Sequence, residues 1–195
     1  MVRQVATLLA ATLALAIAGC GGDDQTTRAQ TGNAYDRAYI AAMIPHHESA
    51  VEMAEIAEDE AKGQFAQDLA ADIIASQGEE IKQLQEIDVR LDDAGIEIGE
   101  LEMTEEEMGM DHDAAALKGA KPFDEEFFTM MIPHHEGAVV MSEALLDNGS
   151  DPELRALAER IIKAQKAEIA QMQEQLGVSP GELDQAGDAE GEHMH

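Results

Sequence analysis

A chain of 195 residues that is 45% hydrophobic and 27% charged can bury a core, which excludes wholesale disorder. Its 12 Lys and Arg stand against 41 Asp and Glu, and a formal charge of −29 repels phosphate backbones and excludes a nucleic-acid partner. One Cys excludes an internal disulfide framework and a thiolate zinc cage, and five Pro with scattered Gly argue against a many-turned β-sandwich.

Arg3 is the only charge before Asp23. Residues 5–18 (VATLLAATLALAIA) form an uncharged apolar run, too short to span a bilayer and suited to a signal peptide. The run ends in Ile17-Ala18-Gly19-Cys20, which resembles the lipobox of bacterial lipoproteins. The expectation is a signal peptide over 1–19, cleavage before Cys20, and lipidation of Cys20. That would anchor the chain on the extracytoplasmic face of a bacterial membrane, in the cell envelope or periplasm. An ordinary cleaved signal with a chance Cys is the alternative. Residues 20–34 beyond it are polar and read as a flexible tether.

The rest is a tandem duplication. Residues 36–53 and 124–141 match at ten of eighteen positions with an offset of 88, and residues 69–86 and 157–174 keep that offset with ten more. Each unit reads as a helical hairpin. Helices are predicted over 36–60, 64–93, 124–147 and 151–176, with Asp36 and Asp124 as N-caps. The first hairpin turns near Lys62-Gly63. The second turns at Asn148-Gly149, with Asp151-Pro152 opening the fourth helix. Pro45 and Pro133 fall within helices, at a usual cost of about 3 kcal/mol. Both lie opposite the inner stripe and are tolerated there as solvent-side kinks; a break at Ile44 is the alternative. The halves 35–93 and 123–176 give an all-α fold, an antiparallel four-helix bundle over 35–176. In the linker 94–122, Thr104 and Glu107 form a capping box that predicts a short helix. The tail 177–195 is acidic and Gly-rich.

At 100° per residue the inner stripe of the first helix collects Asp36, Tyr39, Ile40, Met43, His46, His47, Ala50 and Met53. The third repeats it with Asp124, Phe127, Phe128, Met131, His134, His135, Ala138 and Met141. Gln77 and Glu80 fall within the apolar stripe of the second helix, and Gln165 and Glu168 within that of the fourth. Polar groups at core positions cost several kcal/mol unless they pair or bind a metal. His46, His47, His134 and His135, with Met43, Met53, Met131 and Met141 close by, are therefore candidate ligands. Asp36, Gln77, Glu80, Asp124, Gln165 and Glu168 are candidate supporting groups or further ligands. Two adjacent histidines cannot form one clean clamp; one ring can face a metal and the other the flank. A metal-free network of His–Glu and His–Asp hydrogen bonds is the alternative, and each Met alone reads as packing. Met108-Gly-Met110-Asp-His112 in the linker and His193-Met194-His195 in the tail are exposed soft-ligand clusters.

The repeated Asp-x6-Met-x-Pro-His-His-x2-Ala-x2-Met, followed by a helix with Gln-x2-Glu-Ile, resembles domain-of-unknown-function family 305 from residue 36 to about 176. The resemblance implies a ferritin-like helical bundle. For some members it also implies copper or silver binding outside the cytoplasm, with His46, His47, His134 and His135 at the family's marked positions. Thioether and imidazole donors favour Cu(I) and Ag(I). The expected function is a membrane-anchored copper or silver sequestration or delivery protein, with metal ions and the membrane as its partners. Two alternatives stand beside it. A di-iron or di-manganese oxidoreductase would suit the bundle, although the usual Glu-x-x-His pattern is missing. A metal-free structural module would suit the repeat.

Overall fold

The structure, a computed structural model, describes residues 32–178. The signal segment, Cys20, most of the tether and the tail's His193-Met194-His195 lie outside the described residues. Within them the chain is helical and contains no strand. Four long helices, α1 (Ala34–Glu60), α2 (Gln64–Asp93), α3 (Phe123–Asn148) and α4 (Pro152–Leu176), form the bundle, and a 3-10 turn spans Ala114–Leu117. None of the described helices is long and apolar enough to cross a membrane.

The helix ends follow local chemistry. At α4 the Asp151 carboxylate accepts from the amides of Glu153 and Leu154, Pro152 occupies the first turn, and Gly177 closes the helix at φ +69°. At α1 the cap is Asn33, three residues before the expected Asp36. Asn33 Oδ1 accepts from the Asp36 amide at 3.0 Å, and Asp36 Oδ2 accepts from the Asn33 amide at 2.6 Å. Asp124 does not cap α3 either, where Pro122 stands at the cap position.

These two aspartates join the halves. Asp36 accepts from the amides of Ser150 at 3.0 Å and Asp151 at 3.2 Å, in the turn of the second hairpin. Asp124 accepts from Lys62 at 2.9 Å and Gly63 at 2.7 Å, in the turn of the first. Acceptors and donors are both related by the repeat offset, so each hairpin holds the other's turn.

The linker departs from expectation. Thr104 and Glu107 do form the reciprocal bonds of a capping box. The chain then makes only turns, and Gly109 at φ +65° ends them. The regular turn instead starts at Asp113, whose carboxylate accepts from the Ala115 amide at 2.9 Å. Pro45 and Pro133 sit inside unbroken helices, so no break occurs at Ile44.

The core is divided in two. One cluster holds Met53, Ile73, Phe127 and Met131; the other holds Tyr39, Met43, Leu84, Met141 and Ile161. On every helix the boundary between them falls at the polar residues: 46–47 on α1, 77–80 on α2, 134–135 on α3 and 165–168 on α4.

Candidate metal centre

All four histidines are buried: His46, His47, His134 and His135 are 0, 0, 1 and 0% exposed. Because adjacent residues on a helix project about 100° apart, each pair splits its directions. His46 and His134 meet across α1 and α3, with ring centroids 3.8 Å apart and planes tilted by 38°. The rings within each pair are farther apart, at 6.1 and 6.4 Å. His47 turns to α2, where its Nε2 lies 3.0 Å from Glu80 Oε2, with the oxygen off the line of a hydrogen bond. His135 turns to α4, and its Nε2 donates to Glu168 Oε2 at 2.7 Å. Glu80 and Glu168 are half-buried, at the edges of the layer rather than its centre.

Burial governs the electrostatics. It pushes the His46 imidazole down to about 3, with the neighbouring His47 adding to the effect. It holds His134 well below the ordinary value, with His46 next in influence. Both rings are neutral at neutral pH, each keeping one lone pair for a metal.

Several buried polar atoms in the layer have no partner among the described residues. They are Nδ1 of all four histidines, Nε2 of His47 and His134, both amide atoms of Gln77 and Oε1 of Gln165. Native interiors leave few such groups without a reason. A layer of free imidazole nitrogens fits a soft or borderline metal ion. Among the described residues no three His, Cys, Asp or Glu side chains converge on one point, so thioethers would have to complete any higher coordination.

The candidate methionines flank the layer on both sides. Met43 and Met141 pack in the cluster on one side of the layer, and Met53 and Met131 in the cluster on the other. Gln77 and Gln165 are buried within the layer. Asp36 and Asp124 are not part of it. Each lies ten residues from the nearest layer histidine, about 15 Å along the helix, and its oxygens are taken up by turn amides. They are structural clasps rather than ligands or supporting groups.

A backbone contact not foreseen from side chains completes the layer. His46 Nε2 donates to the carbonyl of Met108 in the linker at 2.9 Å. Gly137 permits the approach, since a Cβ there would strike the Met108 carbonyl. Met108 and Met110 are half-buried by this docking, while His112 stays exposed beside Asp111 at 3.3 Å.

Comparison with known proteins gives the lineage. Solved structures of CopM in the Cu(I)-bound and Cu(II)-bound forms are each 35% identical, with TM-scores of 0.62 and 0.63 over 73% of this chain and 95% of theirs. The Ag-bound form is 34% identical over the same shares, with a TM-score of 0.62. A putative secreted protein from Streptomyces coelicolor is 26% identical, with a TM-score of 0.64 over 83% of this chain and 98% of that one. No curated protein matches the chain. The family described as Domain of unknown function (DUF305) matches twice, at residues 16–88 and 94–176. With two matches in tandem spanning most of its length, the chain belongs to the DUF305 family.

Proposed function

We propose that this protein takes up Cu(I), or the chemically similar Ag(I), in its histidine layer and holds it for sequestration or delivery outside the cytoplasm. One observation carries the reading: four buried imidazoles, each with an unpartnered Nδ1, lie between two apolar clusters that each present two of the candidate methionines. Imidazole and thioether together suit a soft monovalent ion. Neutral His46 and His134 need lose no proton to bind it. The likeness to CopM, which has been solved with Cu(I), Cu(II) and Ag, supports the class of metal. The charge of −29 raises the local cation concentration without choosing among cations. A di-iron or di-manganese centre has less support. It needs carboxylates that converge, and here Glu80 and Glu168 each serve a histidine of their own hairpin.

Replacing His46, His47, His134 and His135 together by Ala tests the site. Competition against a Cu(I) chelator should show high affinity in the wild type and its loss in the variant. Thermal melting in metal-free buffer should show that the variant still folds. A wild type that does not compete, with a variant that melts far lower, would replace this reading by a structural hydrogen-bond network. Anchoring through Cys20 belongs to the same proposal and rests on the Ile17–Cys20 motif. Cys20→Ser should release the protein from the membrane fraction; unchanged fractionation would refute the anchor.

A further inference from the structure

We infer that the histidines offer Nδ1, not Nε2, to the cargo ion, and that Glu80, Glu168 and the Met108 carbonyl are positioning groups that hold the proton on Nε2. The inference rests on the metal-binding reading above and names its donor atoms. A carbonyl has no proton to give, so the 2.9 Å contact between Met108 O and His46 Nε2 requires the proton on Nε2. The Glu168 carboxylate, at 2.7 Å, places the same requirement on His135. Glu80 is the repeat counterpart of Glu168 and sits 3.0 Å from the same atom of His47, off the line of a hydrogen bond; the repeat relation extends the same role to it. A neutral imidazole carries one proton. With that proton on Nε2, the lone pair is on Nδ1, the nitrogen that is buried and unpartnered in every one of the four rings.

The three groups come from three elements: α2, α4 and the linker. Met108 and Glu168 each hold a ring by its Nε2 and leave Nδ1 buried and unpartnered, and Glu80 stands beside the Nε2 of His47 without bonding it. Carboxylates in this position also make the imidazole a better donor and fix its orientation. His134 has no neighbouring acceptor among the described residues, and its ring meets His46 at 3.8 Å with the planes tilted by 38°. Unlike His47, whose Nε2 faces Glu80, it has no group beside it to favour either nitrogen.

The test uses the full chain, metal-free, with nitrogen-15-labelled histidine. Long-range proton–nitrogen correlation reads which ring nitrogen carries the proton, with no metal present. The Nε2–H tautomer is expected at His46, His47 and His135. Glu168→Leu should erase the preference at His135 and weaken Ag(I) binding on the order of 10–100-fold. Glu168→Gln, whose amide oxygen still accepts from Nε2, should keep the tautomer and most of the affinity. Nδ1–H tautomers at His46 and His135 in a wild type that still binds Ag(I) tightly would overturn the donor assignment alone and leave the metal-binding reading standing. A wild type that binds neither Ag(I) nor Cu(I) would overturn both. The wild-type spectrum settles the tautomer even where the Leu variant fails to fold.

Discussion

At the residue scale the site is built from imidazoles denied water, and this has a consequence for the metal-free protein. The His46 ring titrates at about 3 when folded and near 6.5 when exposed. Between those values the unfolded chain binds a proton that the folded chain does not, so stability rises with pH and is lost as pH falls through the window. His134 acts in the same direction. Each fully unprotonated ring adds a slope of roughly 1 kcal/mol per pH unit. Urea unfolding of metal-free protein between pH 7 and 5, above most carboxylate titration, should show the midpoint falling. His46→Asn should flatten part of that dependence. A wild-type midpoint that does not change across this range would mean that these rings are not held neutral by the fold. The inward direction of the histidines was legible because a helix repeats every 3.6 residues and their neighbours on the wheel are apolar. The Met108 carbonyl was not, since a backbone acceptor looks the same at every residue. Its one trace is Gly137, which stands where the first repeat has Ser49 and which leaves room for the linker.

At the element scale, helix existence and hairpin pairing were readable from the repeat and its turn residues, and the role of the first-turn aspartates was not. Periodicity describes a helix in relation to its own axis. It puts Asp36 and Asp124 at the right end, where a carboxylate meets free amides. It carries no information on whose amides those are. Asp36 serves its own cap residue and also the turn between α3 and α4. Among the described residues, the side-chain hydrogen bonds of Asp124 go to the turn between α1 and α2. The Thr104–Glu107 box failed as a helix signal for a related reason. Its bonds form, but Gly109 turns to positive φ and presses on the backbone of Pro133 and His134, so docking overrides propagation. That docking also distinguishes the two prolines: Pro45 is exposed, whereas Pro133 is half-covered by the linker.

At the scale of the whole molecule, the two hairpins are related by an exchange, and this predicts how one would behave alone. The inner stripe of α1 is covered by α3 as well as by α2: Tyr39 bonds Ser142 at 2.9 Å, the His46 and His134 rings meet at 3.8 Å, and Met43 shares a cluster with Met141. A single hairpin of residues 32–95 loses that cover and leaves the amides of Lys62 and Gly63 without Asp124. It should not fold as a monomer, because one hairpin cannot bury its own stripe. A second copy could restore what is missing. Asp36 of each copy occupies the position of Asp124 in the repeat, and the Lys62-Gly63 turn of each copy offers the amides that Asp124 takes in the intact chain. The stripe, the His-His pair and the clasp are then all self-complementary about a two-fold axis, as an isologous dimer requires. The expected result is a fragment with little helical signal when dilute and a cooperative, helical, dimeric state when concentrated, with a melting temperature that rises with concentration. Circular dichroism and sedimentation across a concentration series measure both. A monomer with a cooperative melt independent of concentration would show that each hairpin carries its own core and that the exchange between halves is incidental to the fold.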